Sequence, residues 1–314
     1  MVLGLCACET QPIQKKYYFF DTFVDITLYE KGNQKGDPHM PVYLSLSTTL
    51  SLYDQYSNNY STDNDLYKIN QAPGEYVIEE GLYVLLNKSL ELKEITNGYF
   101  NPLVGSLSKK WKESLSKNEI LSQVIINEEL EKINNSSFTL KKEDNTCKII
   151  KYGTAEIDFG AMVKGLALDA SKGYLNSINI NKYIINAGNS SILLGEKNTK
   201  DGYFNVGLKD VKNAYLSLKN CFIGVSGVSE QGKKIDNQYY SHIVNPFTGS
   251  VINKYDMAFV KGDNGALCDA LSTAFMLMDV EEVKTFESKY NVQALLYKDD
   301  EFVYKNNNLE VKYH

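Results

Sequence analysis

Cysteine is scarce in this chain: Cys6, Cys8, Cys147, Cys221 and Cys268 are five in 314 residues. They are too few and too scattered for a disulfide framework or a zinc site, which needs close pairs. Histidine is scarcer still, limited to His39, His242 and His314, which argues against zinc or iron held by imidazole. Positive charge is not in excess. Lys and Arg number 33 against 39 Asp and Glu, giving a net charge of -6 and a pI of about 5.3, which speaks against nucleic acid or anionic lipid as a partner. Beyond the N-terminus no stretch reaches the roughly 18 apolar residues of a membrane helix. The Gly-x-Ser-x-Gly elbow, the Walker A loop and the Rossmann glycine fingerprint are missing too. The usual nucleotide folds are excluded by motif, although nucleotide binding itself is not. No repeat, low-complexity tract or linker divides the chain, so residues 17–314 read as one catalytic domain with room for two lobes, after a tail over residues 1–16.

What is present is ordinary in bulk, with 43% hydrophobic and 23% charged residues, as expected of a folded protein. Tyrosine is frequent, 23 against the single Trp111, and suits a cleft where rings stack and still hydrogen-bond. Cys147, Cys221 and Cys268 read as buried thiols. Cys6 and Cys8 lie in MVLGLCACETQ, which reads like the end of a bacterial lipoprotein signal whose charged start and most of whose apolar stretch are missing. The expectation is a lipid anchor on Cys8, or on Cys6, holding the chain at a cell membrane and facing away from the cytoplasm. A disordered N-terminus is the alternative.

The chain is organised around Ala155 to Asp169, AEIDFGAMVKGLALD. Ile157 and Phe159 alternate with Glu156 and Asp158, Gly160 makes a turn, and Val163, Leu166, Ala167, Ala170 and Tyr174 follow at helical spacing, so a strand breaks into an amphipathic helix. The unpaired N–H groups that open such a helix favour a phosphate or carboxylate. Asp158 and Lys164 flank the turn. An acid, a glycine and a lysine there can hold a nucleotide and a metal together, but the same plan occurs in many α/β proteins without that role.

Upstream, YYFFDTFVDITLYEKG alternates as a strand with Phe20, Thr22, Val24, Ile26 and Leu28 on one face, and Lys31 to Pro38 is rich in turn residues. Met40 to Asp54 and Glu79 to Ile95 have helical spacing, the second ending in the left-handed cap sequence Thr96-Asn97-Gly98. Between them lie a polar loop, Asp54 to Asp65, and a short turn or helix end at Leu66 to Asn70. TNGYFNPLVGSLSKKW combines a Gly turn, a Tyr-Phe pair and a proline, which can wall a ligand pocket or pack on a core. Ser116 to Asp144 reads as a helix with a hairpin. Downstream, strands are expected at Tyr183 to Asn186, Ile192 to Leu194, Tyr203 to Leu208, Tyr215 to Leu218 and Phe222 to Val225. A loop carrying His242 follows, and Val280 to His314 reads as a helix and two strands.

Residues 265 to 278, GALCDALSTAFMLM, form one apolar helical stripe through Leu267, Ala270, Leu271, Ala274, Phe275 and Met278. Asp269 and Thr273, four apart, share the side away from that stripe. With a main-chain carbonyl near Gly160 or Ala161, they make an all-oxygen donor set that suits Mg²⁺ bound together with a phosphate. His242 is as easily structural as functional.

The ordered series FFDTFVDITLY, SLYDQYS, DLYKIN, TNGYFNPLVGSLSKKW, AEIDFGAMVKGLALD, YIINAGNSS, VSGVSE, YYSHIVNPFTG and DNGALCDALSTAFMLM resembles the ApbE family of FAD:protein FMN transferases from about Tyr17 onward. That resemblance implies a T-fold-related α+β architecture and a Mg²⁺-dependent transfer of FMN from FAD to a threonine hydroxyl of an acceptor protein, with release of AMP. It implies flavin-nucleotide contacts at Phe20, Tyr53, Tyr99, Phe100, Asn101, Asp158, Lys164 and Ile243. It implies metal ligands at Ala161, through its carbonyl, Asp269 and Thr273, and a histidine beside the site at His242. Lys164 would share in charge neutralisation, and Asp269 or His242 would serve as base. Phe20-Asp21-Thr22 stands where many members have Met-Gly-Thr, Asn101 where many have Asp, Gly188-Asn189-Ser190 in place of a Gly-Gly pair followed by Asp or Asn, and Val225 where Thr is frequent before Ser226-Gly227. Two other readings use the same residues: a Mg²⁺-dependent FAD pyrophosphatase yielding FMN and AMP, and a non-catalytic flavin-binding lipoprotein.

Overall fold

The structure, a computed structural model, describes residues 12–29, 39–209, 211–228 and 232–314. In chain order its first elements are β1 (Ile13–Phe19), β2 (Thr22–Leu28), α1 (Met40–Ser57), α2 (Asp65–Gln71), β3 (Gly74–Ile78), α3 (Glu80–Ile95), α4 (Gly105–Ser116), α5 (Gln123–Asn134), β4 (Ser137–Glu143) and β5 (Thr146–Tyr152). Then come α6 (Val163–Ser177), β6 (Tyr183–Ala187), β7 (Ser191–Leu194), β8 (Phe204–Gly207), β9 (Ala214–Leu218), β10 (Cys221–Gly227), β11 (Lys233–Ile235) and β12 (Gln238–Tyr240). The last are β13 (Met257–Gly262), α7 (Gly265–Phe275), α8 (Val280–Tyr290), β14 (Gln293–Lys298), β15 (Glu301–Lys305) and β16 (Val311–Tyr313).

These elements make an α+β fold on an eight-stranded sheet in the order β1-β2-β6-β7-β10-β13-β14-β15, antiparallel throughout. The pleat sends alternate residues to opposite faces, and both faces are covered. Phe222, Ala258, Val260 and Leu296 join α1, α6, α7 and α8 in one core. Cys221, Ile223, Phe259 and Leu295 face the other way, onto the layer formed by β8, β9 and β16. A further core fills a second lobe, where α2 to α5 pack with the small sheet β3-β5-β4. Helices α6 and α7 belong to both lobes. Val163, Leu166, Ala266 and Ala270 face the second lobe, whereas Ala167, Leu168, Leu271 and Ala274 face the first. Phe20, Tyr53 and Leu267 touch both cores, so they mark the seam.

Several local expectations are corrected. The strand read through Phe20 is a hairpin: Phe19 pairs with Thr22, and Phe20 and Asp21 both have φ of 55°, the two left-handed residues that a tight hairpin turn requires. A phenylalanine rarely adopts that conformation, so the pattern concealed the turn. β1 begins at Ile13, inside the stretch read as a tail, because Ile13 already pairs with Leu28. Ala155 to Phe159 alternate in burial as expected but form no strand. Their main-chain groups are met by Ser136 Oγ, Asn70, and the backbone of Pro102 and Gly105 instead of a neighbouring strand. α1 continues to Ser57, into the stretch read as a loop, and α7 ends at Phe275. β13 went unread, because its residues are apolar on both faces, and the chain closes on three strands after α8. The thiols of Cys147, Cys221 and Cys268 are buried and free. Cys6, Cys8 and the Lys31 to Pro38 turn lie outside the described residues. Among the described residues no helix is long and apolar enough to cross a membrane.

Candidate active site at the crossing of two helices

α6 opens from the turn that follows Phe159. Asp158 accepts the Gly160 N–H at 2.8 Å and the Asn59 amide at 3.3 Å, an Asx-type turn that stops the extended segment and sets the helix. Ala161 sits in this turn, half-buried against the second-lobe core. In the first turn of α6 the Gly165 N–H would lack an intrahelical partner. It donates to Asp269 Oδ2 of α7 at 2.7 Å. The Asp269 carboxylate also accepts from Ser191 Oγ, at 2.9 and 2.8 Å from its two oxygens.

Asp269 is 6% exposed. Burial pushes its pKa up to about 7, against the opposing pull of Lys164, Ser191 and the Gly165 N–H, because a carboxylate removed from water favours its neutral form. Lys164 donates to Ser190 Oγ at 2.7 Å, which anchors its ammonium near the acid. His242 is reached by solvent but ringed by protein. That enclosure, with the charges of Lys164 and Lys112, pushes its pKa down to about 4, so the ring is neutral at pH 7. One turn beyond Asp269, the Thr273 hydroxyl lies 3.2 Å from Ser226 Oγ, which also meets Ser272 Oγ at 2.8 Å. Lys164 thus lies within electrostatic reach of both Asp269 and His242, and Thr273 follows Asp269 one turn along α7.

The remaining expected residues are distributed between the two cores and the seam. Phe20 is pinned in its turn by a hydrogen bond from its N–H to Asp54 at 2.8 Å. Tyr53 lies on the seam, and burial and the nearby Asp169 raise its pKa. Tyr99 follows the left-handed pair Asn97 and Gly98; its hydroxyl donates to Glu282 at 3.1 Å and its ring meets Phe247 edge-on at 5.2 Å. Asn101 caps the short 3₁₀ turn Pro102–Val104 through the Leu103 N–H at 3.1 Å. Phe100 and Ile243 are each 4% exposed, packed into the second and first cores respectively.

The sequence profile of the ApbE family matches residues 20–296. The chain belongs to the ApbE family. One curated relative, the FAD:protein FMN transferase of Treponema pallidum, is 23% identical over 269 residues, covering 78% of this chain and 74% of that protein. The ApbE crystal structure from Thermotoga maritima matches with a TM-score of 0.76 at 21% identity, covering 96% of this chain and 97% of the other. The flavin transferase ApbE from Vibrio cholerae matches with a TM-score of 0.75 at 18% identity, covering 95% and 97%. At these identities the structural likeness establishes the ApbE fold.

Within that fold, no three His, Cys, Asp or Glu side chains converge among the described residues. A cation at the crossing would therefore rest on one carboxylate, Asp269, one hydroxyl, Thr273, and a carbonyl of the turn at Ala161. This all-oxygen set suits a hard ion completed by phosphate or water. The raised pKa of Asp269 fits the same role, since a cation beside the buried carboxylate would restore its charged form. Ser191, Ser226 and Lys112 were not singled out from sequence. Serines carry little signal alone, but Ser190-Ser191 directly follows the left-handed Gly188 and Asn189, a turn from which they reach Lys164 and Asp269.

Proposed function

We propose that this protein catalyses Mg²⁺-dependent transfer of FMN from FAD to a threonine hydroxyl of an acceptor protein, releasing AMP. The observation that carries this reading is the seating of the buried Asp269 carboxylate on the Gly165 N–H of the opening turn of α6, the turn that also carries Lys164. Membership of the ApbE family, and relatives named FAD:protein FMN transferase, support it.

In this reading Lys164, in the opening turn of α6, binds the diphosphate of FAD and offsets its charge. Mg²⁺, when held by Asp269, Thr273 and the Ala161 carbonyl, supplies Lewis-acid stabilisation of the phosphoryl oxygens. The threonine Oγ forms a bond to the FMN phosphorus as the bond to the AMP oxygen breaks, and AMP leaves with that electron pair. His242, neutral at pH 7, accepts the hydroxyl proton. Phe20 and Tyr53 position the flavin nucleotide at the seam, with Tyr99 on the first-lobe side and Asn101 on the second-lobe side, so that proximity supplies part of the rate. If the Cys6 and Cys8 segment is lipidated, the enzyme acts at a membrane surface, on an acceptor facing the same side.

Incubation with FAD, Mg²⁺ and a threonine-containing acceptor domain, followed by mass spectrometry of the acceptor, tests this directly. A mass increase equal to an FMN ester on threonine is expected. Free FMN and AMP with an unchanged acceptor would instead mark a pyrophosphatase, and unchanged FAD would mark a flavin-binding protein.

A further inference from the structure

α6 and α7 carry the same short pattern at their crossing. Gly165 is followed four residues later by Asp169, and Gly265 four residues later by Asp269. Each acid reaches across to the other helix's opening turn. Asp269 accepts the Gly165 N–H at 2.7 Å. Asp169 accepts the Gly265 N–H at 2.7 Å on one oxygen and the Ala266 N–H at 2.9 Å on the other. With Asn264 taking the Leu267 N–H at 2.8 Å, the first three N–H groups of α7 are all met. The two acids are not equivalent, however. Asp169 uses both oxygens on the α7 backbone, whereas Asp269 has a single backbone partner and shares a serine hydroxyl, which leaves it lone pairs for a ligand.

The two glycines let the helix backbones touch, but a glycine contact offers no side chain to stop one helix sliding past the other. The charge-assisted pair of bonds from Asp169 supplies that stop at the end of α7 from which Asp269 and Thr273 are measured, one and two turns along. We propose that Asp169 is a positioning residue that fixes the height of α7 against α6, and so places Asp269 and Thr273 for the cation. This rests on the metal role put forward above.

The test is Mn²⁺ binding to the full chain, read by electron paramagnetic resonance without turnover. Asp169→Ala is expected to weaken Mn²⁺ by about 10- to 100-fold, as loss of a residue supporting a ligand does. Asp169→Asn keeps one acceptor oxygen and should fall between that variant and wild type. Glu129→Gln, which disturbs a buried network between α4 and α5, serves as a control for general destabilisation and should retain wild-type affinity. Wild-type affinity in Asp169→Ala overturns the proposal; should that variant not fold, wild-type affinity in Asp169→Asn does so. Failure of the wild-type chain to bind Mn²⁺ would overturn the metal role itself, and this positioning role with it.

Discussion

Gly165 and Gly265 meet backbone to backbone: a Cβ on Gly165 would lie 2.1 Å from the Gly265 carbonyl oxygen, and one on Gly265 would lie 2.4 Å from the Gly165 carbonyl oxygen. Neither obstacle is the end of a flexible side chain, so neither can swing aside. This contact brings the opening turn of α6 to within one hydrogen bond of Asp269.

Gly165→Ala should therefore destabilise the protein by about 2–3 kcal/mol, the range for overpacking a rigid contact. Urea unfolding of the variant would show it as a lower midpoint. Gly173, on the same helix, has open space around its would-be Cβ, and Gly173→Ala should leave the midpoint unchanged or raise it slightly, since alanine is the better helix former.

The raised pKa of Asp269 gives a pH signature. Its folded value, about 7, exceeds the unfolded value of an aspartate, so the folded metal-free protein holds a proton that the unfolded chain gives up. This contribution to stability is full below about pH 4 and is lost as pH rises towards 7. In the proposed role Mg²⁺ binds the ionised acid, so added Mg²⁺ should raise the melting temperature more at pH 7.5 than at pH 5. In Asp269→Asn the dependence of that increment on pH should vanish, and FMN transfer should fall by at least about 100-fold.

Glu129, in the network between α4 and α5, predicts the opposite behaviour. Its burial would raise its pKa, but hydrogen bonds from Lys110, Lys132 and Ser106 outweigh that and hold it at about 2. Its stabilisation is present above the unfolded pKa of a glutamate and is lost as pH falls through about 2. Glu129→Gln should cost on the order of 3 kcal/mol at pH 7, with the gap to wild type closing near pH 2, as measured by denaturant titrations across that range.

His242, with its pKa at about 4, is neutral across the physiological range, so protonation of this ring should not limit transfer between pH 6 and 8. His242→Ala should lower kcat by about 100-fold or more while leaving the affinity for FAD close to wild type. An equal rise in the Kd for FAD would assign the ring to binding instead.

Much of this was legible in the sequence because it depends on local rules. The apolar stripe of α7, the Asn97-Gly98 cap before Tyr99 and the turn into α6 all follow from spacing and backbone preference. The hairpin at Phe20 and Asp21 was hidden because a bulky residue occupies a left-handed position there. The extended segment from Ala155 to Phe159 kept its alternation but found its partners in Asn70 and Ser136, from distant parts of the chain. Of the site residues, Asp269, Thr273 and Lys164 came from pattern and family resemblance together. Ser191, Ser226 and Asp169 depend on contacts across long separations, which no local pattern announces.

A grip of the α6 turn and α7 on a divalent cation against the diphosphate of FAD can be observed without turnover. In the ternary complex of protein, Mn²⁺ and FAD, electron–nuclear double resonance reads phosphorus nuclei bonded through oxygen to the metal. A strong ³¹P coupling in wild type that disappears in Asp269→Asn is the predicted result. A bound Mn²⁺ with no ³¹P coupling, or the same coupling in Asp269→Asn, would contradict it.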